Sequence, residues 1–207
     1  MTWMIPALLF VLWALLHSTF ADHGVKRRIS DLTGGASTRW YRLAYVLMST
    51  LGLGAVLYLQ YGHPGPTIWN LGGWPSLVLW ILRGAAALLF LAAGARIDVG
   101  EFLGLSALRK QDAAPRLDTG GFYRVVRHPL YTLGFVLIWC SPRMSAGSLA
   151  LSAAASLYLW LGTYHEERGL RTVFGAVYEE YAAEVPRLVP RFRKRQSEGR
   201  PPTRIRS

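Results

Sequence analysis

Trp74-Pro75-Ser76-Leu77-Val78-Leu79-Trp80-Ile81-Leu82-Arg83-Gly84-Ala85-Ala86-Ala87-Leu88-Leu89-Phe90-Leu91-Ala92-Ala93-Gly94-Ala95 is a stretch of 22 residues with a single charge, Arg83. At about 1.5 Å of rise per residue, a helix of this length spans about 30 Å, the thickness of a bilayer's apolar core. The stretch therefore predicts a transmembrane helix. Arg83 either lines a polar cavity or snorkels outward past Trp80.

Working outward, the runs Trp3–Ala21, Tyr41–Tyr61 and Ser145–Tyr164 are of similar length. Leu130–Ser141 is shorter, extends backward only through the amphipathic Phe122–His128, and is separated from the next run by Pro142 and Arg143. The first run has no basic flank before it. His17-Ser18-Thr19-Phe20-Ala21-Asp22 is also a poor cleavage context, so the run reads as a retained span. The expectation is an all-α, polytopic membrane protein with five transmembrane helices, the last two a helical hairpin. Residues 1–192 form one integral membrane domain.

The basic residues set the orientation. Segment 22–40 carries Lys26, Arg27, Arg28 and Arg39, and segment 62–74 carries no Lys or Arg. Segment 96–127 carries Arg96, Arg109, Lys110, Arg116, Arg124 and Arg127, and most of the rest follow Tyr164. Cytoplasmic loops collect Lys and Arg, so the N-terminus is expected outside and the C-terminus in the cytoplasm of a bacterial inner membrane. Trp69 and Trp74 fall where an outer aromatic belt belongs. The formal net charge of +11 is accounted for by these loops and by anionic lipid, not by nucleic acid. Ser148, Ser152 and Ser156 recur every fourth residue, and Gly84, Ala85–Ala87 and Ala92–Ala95 lighten the third span. Small residues of this kind let helices approach closely in lipid.

Beyond the fifth run, Leu170, Val173, Phe174, Val177, Tyr178, Tyr181 and Val185 follow helical spacing, while Arg171, Glu179, Glu180 and Glu184 take the other face. This predicts a cytoplasmic amphipathic C-terminal helix ending near Pro186. It either lies on the membrane or folds over the inner ends of the spans. Residues 193–207, basic and containing Pro201-Pro202, read as a disordered tail near anionic lipid. Cys140 is the only cysteine, and the histidines at 17, 23, 63, 128 and 165 lack metal-ligand spacing, so no metal site is expected.

Three clusters carry the chemistry. Gly120-Gly121-Phe122-Tyr123-Arg124-Val125-Val126-Arg127-His128-Pro129-Leu130-Tyr131 stands at the mouth of a span. Tyr164-His165-Glu166-Glu167-Arg168 places two carboxylates at the inner end of the next. Arg187-Leu188-Val189-Pro190-Arg191-Phe192 closes the C-terminal helix. A hairpin would bring Arg127, His128, Glu166 and Glu167 together on one side of the membrane.

Jointly these clusters resemble the membrane methyltransferase superfamily of isoprenylcysteine carboxyl methyltransferases and phospholipid N-methyltransferases. The matching pieces are Gly121, Tyr123, Arg127-His128-Pro129-Leu130-Tyr131, Glu166-Glu167, Gly175-Ala176-Val177-Tyr178-Glu179-Glu180-Tyr181, Arg187 and Pro190. The remainder looks like the branch of bacterial methanethiol S-methyltransferases, on Leu16-His17-Ser18 with Lys26, Tyr45-Val46-Leu47-Met48-Ser49, Pro66-Thr67-Ile68-Trp69, and Trp139 with Pro142-Arg143-Met144 and Gly147. Where that branch carries His-Phe-Asp after the third span, this chain reads Ile97-Asp98-Val99-Gly100-Glu101-Phe102-Leu103-Gly104-Leu105.

The resemblance implies S-adenosylmethionine as methyl donor, bound between the hairpin ends and the C-terminal helix. Tyr123, Arg127, His128, Pro129, Tyr131, Glu167, Tyr181 and Arg187 are its expected cofactor-binding residues. The residue chemistry is compatible. Glu167 can accept from a ribose or an ammonium, Arg127 can pair with a carboxylate, and Tyr131 or Tyr181 can lie near the sulfonium. No strand followed by Gly-x-Gly-x-x-Gly is present, so such a site is built from helix ends. A thiol acceptor is methylated as its thiolate, and Glu166 or His128 is the expected catalytic base. The implied reaction is methyl transfer to a small, methanethiol-like thiol at the cytoplasmic face. Its rivals are transfer to a prenyl-cysteine, isoprenoid or phospholipid headgroup, and a non-enzymatic sensor, carrier or assembly factor.

Overall fold

The fold is that of a computed structural model, which describes residues 1–32, 38–94 and 116–191. After a 3-10 turn at Thr2–Met4 come α1 (Ile5–Ala21), α2 (His23–Leu32), α3 (Thr38–Gly62), strand β1 (Thr67–Asn70) and α4 (Gly73–Gly94). A second 3-10 turn (Gly121–Arg124) leads to α5 (Pro129–Trp139), strand β2 (Arg143–Ser145), α6 (Ala146–Phe174) and α7 (Ala176–Glu184). Four of these segments, Thr2–Ala21, Trp40–Gly62, Gly73–Gly94 and Ala146–Phe174, are long and apolar enough to cross a membrane by length and composition. Most of their large side chains, among them Leu8, Leu51, Leu77, Leu88 and Leu157, are exposed, as lipid-facing residues of an integral membrane protein are. The segment 97–105, the residues Arg96, Arg109 and Lys110, and the tail 193–207 lie outside the described residues.

α1 is the central helix. Its Phe10 and Ala14 are buried with Val56 of α3 and Leu151 of α6, and Trp13, Leu53 and Tyr158 pack around them. Lipid tails are as apolar as these side chains, so close packing and hydrogen bonds between helices must hold the bundle. The bonds are present. Trp13 Nε1 donates to the Ser49 carbonyl (3.0 Å) and the Tyr41 hydroxyl donates to the Phe20 carbonyl (2.6 Å), both joining α1 to α3. Of the small residues of the third span, Ala86 and Ala93 are the buried residues of α4, the helix that packs on α5, whereas Gly84, Ala85 and Ala92 are exposed. Ser156 also accepts a hydrogen bond from Trp139 Nε1 (2.9 Å) across α5 and α6.

The fourth run differs from expectation. α5 has 11 residues, about 16 Å of rise, roughly half of an apolar core. The expected amphipathic extension over 122–128 is a 3-10 turn followed by an irregular turn and bend, because Pro129 disfavours helix in the residue before it; His128 sits at φ −123° and ψ 69°. The connection at Pro142-Arg143 contains β2, which pairs antiparallel with β1 (Thr67 with Ser145, Asn70 with Arg143). This two-stranded ladder is an element an all-α reading omits. It gathers the α3–α4 and α5–α6 connections at one end of the bundle, where Ala146 N also donates to Pro66 O (2.8 Å) and the Trp3 side chain lies against Gly65.

The amphipathic helix expected after Tyr164 also differs. No proline separates the fifth run from Phe174, and the single glycine, Gly169, is accommodated within the helix, so α6 continues for 29 residues. The break comes at Gly175, whose φ of 53° and ψ of −128° suit a residue without a Cβ. Glu166 is 20 residues beyond Ala146, about 30 Å along the helix, so the acidic pair stands at the end opposite the strand ladder.

Candidate functional site

Pro129 occupies the first turn of α5, where it needs no amide partner. The irregular residues before it turn their amides to the segment that follows α7. Arg127 N donates to Pro186 O (2.8 Å) and His128 N to Arg187 O (3.1 Å). Thr132 Oγ1 donates to Leu188 O (2.7 Å), and the Tyr181 hydroxyl donates to Tyr123 O (2.7 Å). These bonds bring the three clusters named from the sequence to one end of α6.

At the centre is Glu167, fully buried at 0% exposure. Arg127 reaches its Oε1 with Nε (2.9 Å) and a terminal nitrogen (2.8 Å). Arg187 donates from Nε to Oε1 (3.0 Å) and from a terminal nitrogen to Oε2 (2.7 Å). His128 Nε2 lies 3.2 Å from Oε1, and a terminal nitrogen of Arg171 lies 3.5 Å from Oε2. A carboxylate offers about four lone-pair sites, so these partners use its capacity. Arg127 also donates to the carbonyls of Ala182 (2.7 Å) and Val185 (2.6 Å), which ties α7 to the cluster. The Arg187 guanidinium lies 3.9 Å above the Tyr164 ring. Burial works to lower the pKa of Arg187, but its bonds to Glu167 outweigh that and hold it above the ordinary arginine value.

The neighbouring carboxylate is placed differently. Glu166 has a side chain 48% exposed, with Oε2 3.4 Å from His128 Nδ1. The Tyr131 hydroxyl interacts with it, and the Tyr131 ring meets the His128 ring edge-on at 5.3 Å. Gly162 permits this arrangement, since a Cβ there would lie 3.1 Å from the Tyr131 ring. In α7, burial pushes the Tyr178 phenol up to about 12, with Glu167 adding to the effect, and pushes Tyr181 up to about 12 as well. The buried Tyr178 hydroxyl has no hydrogen-bond partner among the described residues.

Tyr131, Glu166 and His165 also form one end of a chamber of about 640 Å³ between α1 and α6. Its other walls include Phe10, Ala14, His17, Leu157, Tyr158 and Leu161. Arg127, Arg187 and Arg191 line a separate notch of about 290 Å³ against α7.

Every site residue expected from the sequence is thus at this end of the bundle, in three settings. Glu167, Arg127, His128 and Arg187 form the buried ion cluster. Tyr123, Pro129 and Tyr181 shape the backbone around it. Glu166 and Tyr131 face the chamber. The contribution of α1 was not expected. Its signal is a stripe of small and polar residues (Ala14, His17, Ser18, Ala21) among leucines. Arg171, also unexpected in the cluster, is one helical turn after Glu167, and Tyr164, named with the acidic pair from the sequence, is one turn before it and carries Arg187 over its ring.

The family model described as NnrU protein matches residues 5–163. The chain belongs to the NnrU protein family. The match ends before Glu166, so in this NnrU protein the acidic pair and α7 lie beyond the matched segment. Among curated relatives, methanethiol S-methyltransferase 2 of Bradyrhizobium diazoefficiens is 35% identical over 208 residues, covering 95% of this chain and 77% of the relative. A methanethiol S-methyltransferase of Mycobacterium tuberculosis is 30% identical over 194 residues, covering 90% and 78%. A more distant relative, protein-S-isoprenylcysteine O-methyltransferase of Schizosaccharomyces pombe, is 30% identical over 105 residues, covering 49% of this chain and 44% of its own. No solved structure matches this NnrU protein significantly.

Proposed function

We propose that the chain is an integral membrane methyltransferase that moves a methyl group from S-adenosylmethionine to methanethiol or a related small thiol. The observation that carries this reading is the junction at Tyr131 and Glu166. Both residues touch the polar cluster, and both line the apolar chamber. A charged donor and an apolar acceptor need such a boundary between two environments. The names of the relatives that span most of the chain supply the chemistry.

The residues fit the donor. Arg127 and Arg187 share one carboxylate, Glu167, while Arg171 is paired mainly with Glu179, so Arg127, Arg187 and Arg191 leave surplus positive charge along the notch for an anionic carboxylate. Glu166, not spent on an arginine, is free to face an ammonium or a sulfonium. Among the described residues the Tyr178 hydroxyl is a buried donor without a partner, and such a group costs about 1–3 kcal/mol until one is found. When bound, the donor supplies an electrophilic methyl group on its sulfonium. Glu167 acts as a positioning residue that fixes Arg127, Arg187 and His128, while Tyr131 orients Glu166 at the chamber mouth. The chamber walls exclude water and hold the acceptor in line, which is most of what a charge-annihilating transfer requires.

In the membrane, a single domain over residues 1–192 makes five crossings. α5 with Cys140–Ser145 completes the fourth and forms a hairpin with α6, as the contact of Trp139 with Ser156 supports. The strand ladder faces outward and the ion cluster faces the cytoplasm, the side that collects most basic residues. A second reading is favoured by chamber size. About 640 Å³ exceeds the need of a two-heavy-atom thiol, and the exposed wall residues Leu15, Leu157 and Leu161 leave a lateral way in for a longer lipophilic acceptor.

Calorimetry with S-adenosylmethionine and its demethylated product tests the reading. Binding of both, lost in Arg127→Gln, is expected; a folded protein that binds neither contradicts it.

A further inference from the structure

His17 is an ionisable residue within an apolar span, and the reaction as described so far does not use it. Its ring sits where α1, α3 and α6 meet. Nδ1 lies 2.8 Å from the Ser49 hydroxyl. The Tyr45 hydroxyl lies 2.8 Å from Nε2 and 3.2 Å from Nδ1. The ring stacks on Trp13 at 4.9 Å and meets Tyr158 edge-on at 6.2 Å. The titratable groups that face it are therefore Tyr45 from α3 and Tyr158 from α6. One turn away on α3, Tyr41 donates to Phe20 O. Among the described residues no carboxylate or cation forms an ion pair with the ring. Hydrogen bonds of this kind can simply join helices in lipid. This ring, however, also forms part of the wall of the chamber whose far end is Glu166, His165 and Tyr131. An ionisable side chain turned to a cavity inside a span is a candidate for function.

We infer that His17 is the proton acceptor for a thiol bound in the chamber, with Ser49 and Tyr45 holding its ring. The inference rests on the methyltransferase reading and narrows the acceptor to a group that must lose a proton. In the resting arrangement one ring nitrogen donates to Ser49 and the other accepts from Tyr45. When the thiol binds, its S–H proton passes to the ring nitrogen that Tyr45 had served, and the Tyr45 oxygen turns to accept from the new N–H. The thiolate electron pair forms the new S–CH3 bond. The bond from methyl to the donor sulfur breaks, and its electron pair stays on that sulfur, now a neutral thioether. The positive charge of the sulfonium thus ends on the imidazole, which releases its proton to water at the polar mouth. A neutral imidazole keeps one ring nitrogen with a lone pair, which can take the proton that an S–H must lose. A carboxylate acceptor would need no such base.

The test compares His17→Asn and Tyr45→Phe with the unchanged protein in detergent. Two acceptors are used, an alkyl thiol such as ethanethiol and an aryl thiol already ionised near neutrality. His17→Asn should lose about 100-fold or more with ethanethiol at neutral pH, recover as pH rises toward the ionisation of the thiol, and lose less than about 10-fold with the aryl thiol. Donor binding should be unchanged. Tyr45→Phe should show the same pattern at smaller amplitude, and it carries the test if His17→Asn does not fold. Equal losses with both thiols, or an unchanged pH profile in the folded variants, overturns the role of His17 alone. If the unchanged protein methylates neither thiol, the methyltransferase reading falls with it.

Discussion

Arg127 holds Glu167 with two nitrogens, at 2.9 and 2.8 Å, while its remaining terminal nitrogen donates to the carbonyls of Ala182 and Val185. One guanidinium therefore joins the start of α5, the end of α6 and the end of α7. A planar fork of five donors can do this; a lysine ammonium cannot.

Glu167→Gln should break this joint. It removes the negative charge between Arg127 and Arg187 and leaves these two partly buried cations without their carboxylate, while Arg171 keeps Glu179. Removing one partner of a buried ion pair costs about 3–5 kcal/mol. Unfolding in detergent should show a loss of that order, with donor binding abolished. The exposed Glu166→Gln should leave stability within about 0.5 kcal/mol while lowering donor affinity. Equal stability losses in the two variants would contradict the division of roles.

Filling the chamber should separate the two substrates. Ala14→Phe places a ring between α1 and α6, where Ala14 lines the cavity. KM for the thiol should rise at least about 10-fold, equivalent to about 1.4 kcal/mol, with the donor Kd unchanged. Matched losses of both affinities would place the acceptor elsewhere.

Gly175→Ala tests the link between α6 and α7. Its φ of 53° and ψ of −128° are costly for a residue with a Cβ, about 1–3 kcal/mol. The strain falls on the segment that delivers Tyr178 and Tyr181, so both stability and donor affinity should drop. Gly169→Ala, where a Cβ would meet nothing within 4 Å, is the control.

The phenols of α7 predict an alkaline limit. Burial, the first cause for both Tyr178 and Tyr181, raises them from 10.0 to about 12. An unfolded chain releases these protons first, so the stability they contribute is complete below pH 10 and is lost as pH rises through 12. Melting curves between about pH 9 and 12 should show this decline, shallower in Tyr181→Phe. That variant should also lose about 1 kcal/mol at neutral pH, the worth of its bond to Tyr123 O.

Hydropathy located the long helices because a span must be apolar along its whole length. It also placed Arg127, His128, Glu166 and Glu167 together, because charge collects where a span ends. It could not show which side of each helix faces protein, since in lipid both faces are apolar. That is why Phe10, Ala14 and His17 were not assigned to the chamber. The length of α5 was obscured because Cys140–Ser145 is short and mostly apolar whether it forms a helical turn or a strand beside Thr67–Asn70. The division of α6 from α7 rests on the backbone of Gly175 alone, and periodicity continues across it. The two glutamates are adjacent and chemically alike, so their separate roles follow from burial: Glu167 is enclosed by arginines, and Glu166 is turned to the chamber.

Transfer of labelled methyl from S-adenosylmethionine to methanethiol, read as labelled volatile thioether, tests the central claim most directly. Purified protein in lipid should release labelled dimethyl sulfide in repeated turnovers, and Arg127→Gln should not. If folded protein transfers no label to methanethiol or to any longer thiol, the account of a donor site joined to an acceptor chamber is contradicted.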